Sequence, residues 1–344
     1  MYRLHIMLVG FLVATTSASS SQVTGHISES ARGPKTRVRD AKARAPRTPW
    51  GDSDLQGLWD FASPVPFERP RELADRPALT GEEAVKFSER LRARSNRDNK
   101  ANDVSGQITD FNEFWAEHGP TDDTRTSLIV DPPNGRYPPL TPEAQRRNEA
   151  AAAARRGLSL HEPTPGGWID DIGPGNQQAR CLVGVNSGPP MRPSSYNNYV
   201  RIFQIPGSTV LLTEQIHDVR VVPLDGRPHG RIRQWAGDSR GRWDGDTLVI
   251  DTINFREPTI FPPVGSASMH LIERFTRVDN DTLLYRYTVD DPGYWTRPWT
   301  AELIMKQATD QMYEFACHEG NYGLANILSG ARAKDAERAG KEQK

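Results

Sequence analysis

From residue 196 onward, apolar and polar positions alternate with a period of two, in short runs separated by turn residues. Such alternation puts one face of a strand in a core and the other toward water. It predicts strands over residues 198–205, 208–216, 218–224, 231–236, 247–254, 269–278, 282–290, 299–306 and 311–317. Pro206-Gly207, Asp225-Gly226, Asp244-Gly245-Asp246, Asp279-Asn280-Asp281 and Thr309-Asp310 punctuate them. Asp279-Asn280-Asp281 joins two strongly alternating runs and is the clearest hairpin. Gly237-Asp238-Ser239-Arg240-Gly241 reads as a tight polar turn between Trp235 and Trp243. Short strands at regular spacing predict a mainly β fold, an antiparallel barrel or sandwich.

Upstream the period changes. Thr80-Gly81-Glu82-Glu83 is a capping box that opens a helix over residues 82–94, with Ala84, Val85, Phe87 and Leu91 on one side. Thr141-Pro142-Glu143 opens a second, over residues 143–156, which Gly157 ends. Phe111, Phe114 and Trp115, a short strand over 127–130 and a Pro-rich stretch at 131–139 lie between them. Gly57-Leu58-Trp59 opens the first strand and resembles the Gly-x-Trp of lipocalin-like, or calycin, barrels, where the Trp plugs the base. Residues 322–344 start as an apolar C-terminal helix and end charged.

The first 22 residues carry a basic start at Arg3, an apolar run over 6–13 and small residues over 14–21. This is the arrangement of a secretory signal, and the run is too short to span a bilayer. The expected organisation is a signal peptide over 1–20 and a disordered basic leader over 21–50. One β-rich domain follows over 51–332, with a helical insertion at 80–157, then a charged tail at 333–344. Export predicts a periplasmic or secreted protein. In that oxidising setting Cys181 and Cys317, the two cysteines of the chain, are expected to form a disulfide. Two buried free thiols are the alternative.

Composition narrows the partners. Lys+Arg is 43 against Asp+Glu 44 in 344 residues, and this balance argues against a nucleic-acid binder. Two cysteines exclude a four-thiolate metal site. No later segment is apolar enough to span a membrane, and no phosphate-binding or dinucleotide fingerprint occurs.

The stretches YNNYVRIFQIPGSTVLLTEQIHDVRVVPLDGRPH (196–229), RQWAGDSRGRWDGDTLVIDTINF (233–255), HLIERFTRVDNDTLLYRYTVDDPGYWTRPWTAE (270–302) and ACHEGNYGLANILSGAR (316–332) carry a wider likeness. With RTSLIVDPPNGRYPPLTPEAQ (125–145), they cover most of 125–332. On these motifs the chain resembles a family of exported, largely uncharacterised bacterial proteins. The resemblance implies export and one β-rich domain, and implies no reaction.

The chemistry-bearing residues gather in the β half. Alternation through 208–222 puts His217 on one face and Asp218 and Arg220 on the other. His270 and Arg274 share a face of 269–278, and Glu302 and His318 sit on later predicted strands. A barrel gathers such residues at one mouth. Three readings remain open. In the first, His217, Asp218, His270 and His318 perform acid–base chemistry. Tyr199, Asn198, Arg220, Arg274, Trp299 and Glu302 then bind the substrate, with Tyr199 and Trp299 at the rim. Asn and Arg groups would also suit a β-elimination on an acidic sugar. In the second, His217, His270, His318 and a carboxylate hold a metal ion, although no His-x-His or His-Glu-x-x-His spacing occurs. In the third, these are core histidines and surface ion pairs. A Cys317 nucleophile fails if Cys317 is bridged, and no Gly-x-Ser-x-Gly elbow occurs.

The expectation is therefore an exported enzyme acting without cofactor on a small polar, aromatic or sugar-acid molecule. It would work by acid–base chemistry, as a lyase or isomerase before a hydrolase. The alternative is a non-catalytic, calycin-like binding protein.

Overall fold

The computed structural model describes residues 46–96, 98, 113–154, 176–256 and 265–342, all within one unit, Arg37–Lys344. The expected signal peptide, and the leader up to residue 45, lie outside the described residues.

Among the described residues ten strands carry the fold: β1 (Gly57–Asp60), β2 (Ile129–Asp131), β3 (Tyr199–Ile205), β4 (Ser208–Thr213), β5 (Val219–Pro223), β6 (Asp238–Asp244), β7 (Thr247–Ile253), β8 (His270–Arg277), β9 (Thr282–Asp290) and β10 (Trp299–Gln307). They form one sheet in the order β5-β4-β3-β1-β10-β9-β8-β7-β6, and β2 also pairs with β10. These strands pair antiparallel throughout, so the architecture is an antiparallel meander into which β1 inserts between β3 and β10. The sheet curls until β5 approaches β6, which gives a nearly closed barrel. Gly241 marks the seam. A Cβ there would lie 2.9 Å from Val222 Cγ1 and overlap Leu224, so any side chain would push β6 off β5.

Alternation fills the interior. Trp59, Leu211, Val222, Leu248, Ile250, Leu271, Phe275, Tyr285, Tyr287, Trp299, Leu303 and Met305 are buried and belong to one core. Each large apolar side chain contributes about 1.5–3 kcal/mol by leaving water. Aromatic contacts run from Phe275 through Tyr285, Tyr287 and Trp299 to Tyr137. Trp59 donates its Nε1–H to the Leu55 carbonyl at 2.9 Å. Charge also points inward: Glu273 on β8 is fully buried and grips Arg220 on β5 through two hydrogen bonds, of 2.5 and 2.9 Å. Tyr285 donates to the same carboxylate at 2.7 Å and accepts from the Met191 N–H at 3.1 Å. Burial opposes the Arg220 charge, and Glu273 more than reverses this, so the guanidinium is held above its ordinary pKa.

Helix α1 (Gly81–Ser95) starts at the Thr80–Glu83 capping box and buries Ala84 and Phe87. Helix α2 (Pro142–Ala154) has the Ala144 N–H bonded to Thr141 Oγ1 and buries Ala144; its expected stop at Gly157 lies outside the described residues. A single turn, α3 (Asn176–Ala179), precedes the disulfide between Cys181 and Cys317. Helix α4 (Tyr322–Glu342) continues through the charged stretch of the C-terminus. Among the described residues, no helix is long and apolar enough to cross a membrane.

Three local expectations are corrected. Residues 238–244 are strand β6 and not a turn; the turn is at Gly245, which has φ +60°. Residues 231–236 are a loop rather than a strand: Arg233 caps the Phe255 and Ala267 carbonyls, and pairing is confined to a single parallel bridge between Gln234 and Phe255. Residues 311–317 are also a loop, tied down by side chains and the disulfide rather than by a neighbouring strand.

Candidate functional site

The connection from β4 to β5 breaks the alternation on which the site reading rested. Thr213 donates its N–H to the Asp218 carbonyl at 2.9 Å, and residues 214–217 turn between them. Ile216 and His217 both have left-handed backbones, with φ of +61° and +43°. That conformation is strained for any side chain and most of all for a β-branched one. The surroundings enforce it. Gln215 Oε1 accepts from the Asn186 N–H at 3.0 Å. Asp218 Oδ2 accepts from Ser187 Oγ at 2.8 Å and from the Gly184 N–H at 3.2 Å. His217 Nδ1 lies 2.9 Å from the Phe315 carbonyl. The turn therefore joins two other segments, and the Cys181–Cys317 disulfide joins those two to each other.

Glu214 opens this turn beside a cleft of about 670 Å³. Trp115, Glu117, Tyr196, Asn197, Tyr199, Glu214, Asp310, Gln311, Tyr313 and Phe315 line it, and none of them is basic. Glu214 is only 6% exposed, and its Oε2 has no hydrogen-bond partner. Burial raises its carboxyl to about 7, against an ordinary 4.5; Glu117 and Asp60 add repulsion, while hydrogen bonds from Asn197 and the Tyr199 backbone pull the other way. Asp60, at the end of β1, stands at about 6, raised mainly by burial and further by Glu117 and Asp310, against a hydrogen bond from the Ala62 N–H. Burial, then the four carboxylates, lift the Tyr199 phenol to about 12. Glu117 accepts from the Asn197 N–H, the Asn198 N–H and Asn198 Nδ2 at 2.7, 2.9 and 2.6 Å. Asn197 has φ +57°, so a third left-handed residue sits at the cleft. Strained backbone persists where surrounding structure over-determines it, which is typical of functional sites.

The expected site residues divide. Tyr199 lines the cleft, and Asn198 is buried behind it, where it holds Glu117. His217 is exposed and reaches the Phe315 carbonyl at the cleft wall. Asp218 and Arg220 face inward and line a small cavity of about 50 Å³. His270 does not join them. In β8 the inward residues are Leu271, Glu273 and Phe275, so His270 and Arg274 lie on the opposite face. His270 Nε2 is 3.1 Å from Asp251 Oδ1, which His229 Nε2 also reaches at 3.2 Å, and Arg274 meets Asp244. Glu302 faces outward too, against Arg286 at 3.1 Å. His318 is exposed in the loop before α4. Trp299 is not at a rim; it is fully buried against Tyr137 and Tyr287. No single cavity gathers His217, Asp218, Arg220, His270 and His318: Asp218 and Arg220 turn inward, His270 lies on the outer face of β8, and His217 and His318 stand exposed in a turn and a loop. Among the described residues no group of three His, Cys, Asp or Glu side chains is arranged to hold a metal ion.

The cleft's own acids, Asp60, Glu117, Glu214 and Asp310, fall in no motif or spacing that marks them in the sequence. Two signals pointed near them: Tyr196-Asn197-Asn198-Tyr199, and a strand with ionisable groups on both faces at Glu214. The chain matches no protein-family model and no curated protein sequence.

Proposed function

We propose that this protein is an exported acid–base enzyme, periplasmic or secreted, whose substrate sits in the cleft beside Glu214. The observation that carries the reading is a buried carboxyl with a free oxygen and a pKa of about 7. A group that titrates near neutrality both takes and gives protons efficiently. Tyr199 and Asp60 flank it as further proton-bearing groups. Trp115 and Tyr313, 64% and 72% exposed, offer ring faces for a flat or compact substrate. Proton abstraction and return, as in a lyase or isomerase, needs no nucleophile or cofactor beyond these groups.

A calycin-like binding protein without chemistry is the weaker reading, since such barrels hold ligand in the lumen and side chains fill this one. A sugar acid is the weaker substrate. Arg220 and Arg274, which would have gripped its carboxylate, are paired with Glu273 and Asp244. Solvent-exchange screening tests the proposal. In D2O, the protein should place deuterium on the carbon next to the carbonyl of at least one member of a panel of small polar ketones, amino ketones and reducing sugars, where the carbonyl takes the electron pair as Glu214 takes the proton. Glu214→Gln should abolish the incorporation. Equal incorporation by Glu214→Gln, or none by the native protein across the panel, contradicts it.

A further inference from the structure

We infer that the ligand of the Glu214 cleft is an organic cation, an ammonium group on a small apolar or aromatic body. The inference rests on reading the cleft as a ligand site and adds the chemical class of the ligand. The lining holds three acids and no base: Glu117 on the loop before β2, Glu214 at the turn after β4 and Asp310 after β10, with Asp60 at the end of β1 near enough to interact with Glu214 and Tyr199. His217, in the same turn as Glu214, directs its Nδ1 to the Phe315 carbonyl.

Burial is the main reason that Asp60 and Glu214 resist ionisation, and repulsion from the neighbouring carboxylates, with no counter-cation among them, adds to it. A bound ammonium removes that repulsion. A neutral sugar does not, and an anion adds to it. The second observation is independent of charge. Glu214 Oε2 is buried at the cleft without any donor, and a buried acceptor left unpaired is destabilising. An ammonium N–H, or the polarised methyls of a quaternary ammonium, satisfies it. The third is the wall itself. Tyr199, Tyr313, Phe315 and Trp115 face the same space, and the electron-rich faces of such rings attract organic cations. A bare metal ion is the poorer occupant, since the described residues offer no three-ligand group.

Binding is tested on the full, disulfide-bonded protein by calorimetry, with choline and its neutral carbon isostere 3,3-dimethylbutan-1-ol. Choline should bind at least about tenfold more tightly at pH 8, the scale of one charge-assisted contact. Its affinity should fall toward pH 5, where Asp60 and Glu214 hold protons, and should fall about tenfold in Glu214→Gln. Tyr313→Ala should weaken choline more than the alcohol. Equal affinity for the two probes, or no choline binding at millimolar concentration, overturns the inference. Choline binding without any deuterium exchange in the panel overturns the enzyme reading alone. Exchange of a neutral substrate by a protein that does not prefer choline overturns the cation alone.

Discussion

Two buried glutamates of this protein stand in opposite conditions. Glu273, inside the barrel, has Arg220 on two oxygens and the Tyr285 hydroxyl on one of them. Glu214, at the mouth, has one oxygen with no partner and shares its surroundings with three more carboxylates. Both are removed from water to a similar degree. The difference is whether the fold supplies the counter-charge. Where it does, the carboxylate is part of the structure and links β5 to β8 across the lumen. Where it does not, the molecule keeps an incomplete site, and completing it is left to a ligand. A buried charge is thus informative mainly through its partner.

The largest expected effect comes from breaking the satisfied member. Glu273→Ala leaves Arg220 buried and unpaired and should destabilise by about 3–5 kcal/mol in denaturant unfolding. Adding Arg220→Met should recover most of that loss, because replacing both charges with apolar bulk is often close to neutral. If the single variant unfolds like the native protein, the lumenal pair is not structural. Next is the disulfide that ties both cleft-side segments together. Cys181→Ser with Cys317→Ser should lower stability by about 2–4 kcal/mol through the longer unfolded loop. An unchanged midpoint would show that the loop at 308–321 is held without it.

The unsatisfied member should behave in the reverse way. Glu214's native value of about 7 exceeds its ordinary 4.5. Between those values the folded state holds a proton that the unfolded state has lost, so stability falls as pH rises through that window. Glu214→Gln should therefore raise Tm at pH 8 by about 2–4 °C, the scale of 1 kcal/mol in a chain of this size, and leave it unchanged at pH 4.5. A lower Tm at pH 8 would mean that the carboxylate is stabilising and the comparison is mistaken. The smallest effect belongs to an intermediate case. Asp251 accepts from His229 and His270 in a half-exposed position and raises His270. That contribution is present below the ordinary histidine value of 6.5 and is lost as pH rises past the native one. Asp251→Asn should lower Tm at pH 5.5, by no more than about 1 kcal/mol in stability, and leave pH 8.5 untouched.

What could be read in advance follows from the range of the forces involved. Alternation is local, so most strands, the Asp279–Asp281 hairpin and the Thr80 capping box were visible in the sequence. The cysteine pair was legible from compartment logic. The site was less so. Parity arguments carried through residues 208–222 fail at Ile216 and His217, because nothing local announces left-handed backbone at a β-branched residue. They also cannot say which face of β8 turns inward. The histidines and arginines seemed to mark chemistry, yet the inward face took Leu271, Glu273 and Phe275. Asp60, Glu117, Glu214 and Asp310 are spread over 250 residues of chain, and only the insertion of β1 between β3 and β10 brings the first of them to the others. Trp299, expected at a rim of the gathered mouth, is instead enclosed by Tyr137 and Trp295.

Glu214 remains protonated to near neutrality because the fold buries it and gives it no counter-charge. Carbon-detected NMR of the glutamate side-chain carboxyls, followed from pH 4 to pH 9 in the native protein and in Glu214→Gln, measures this directly. One carboxyl should titrate with a midpoint of about 7, and its resonance should be missing from the variant. If the resonance lost in Glu214→Gln instead titrates near the ordinary 4.5, the cleft carboxylate is already compensated and the account fails.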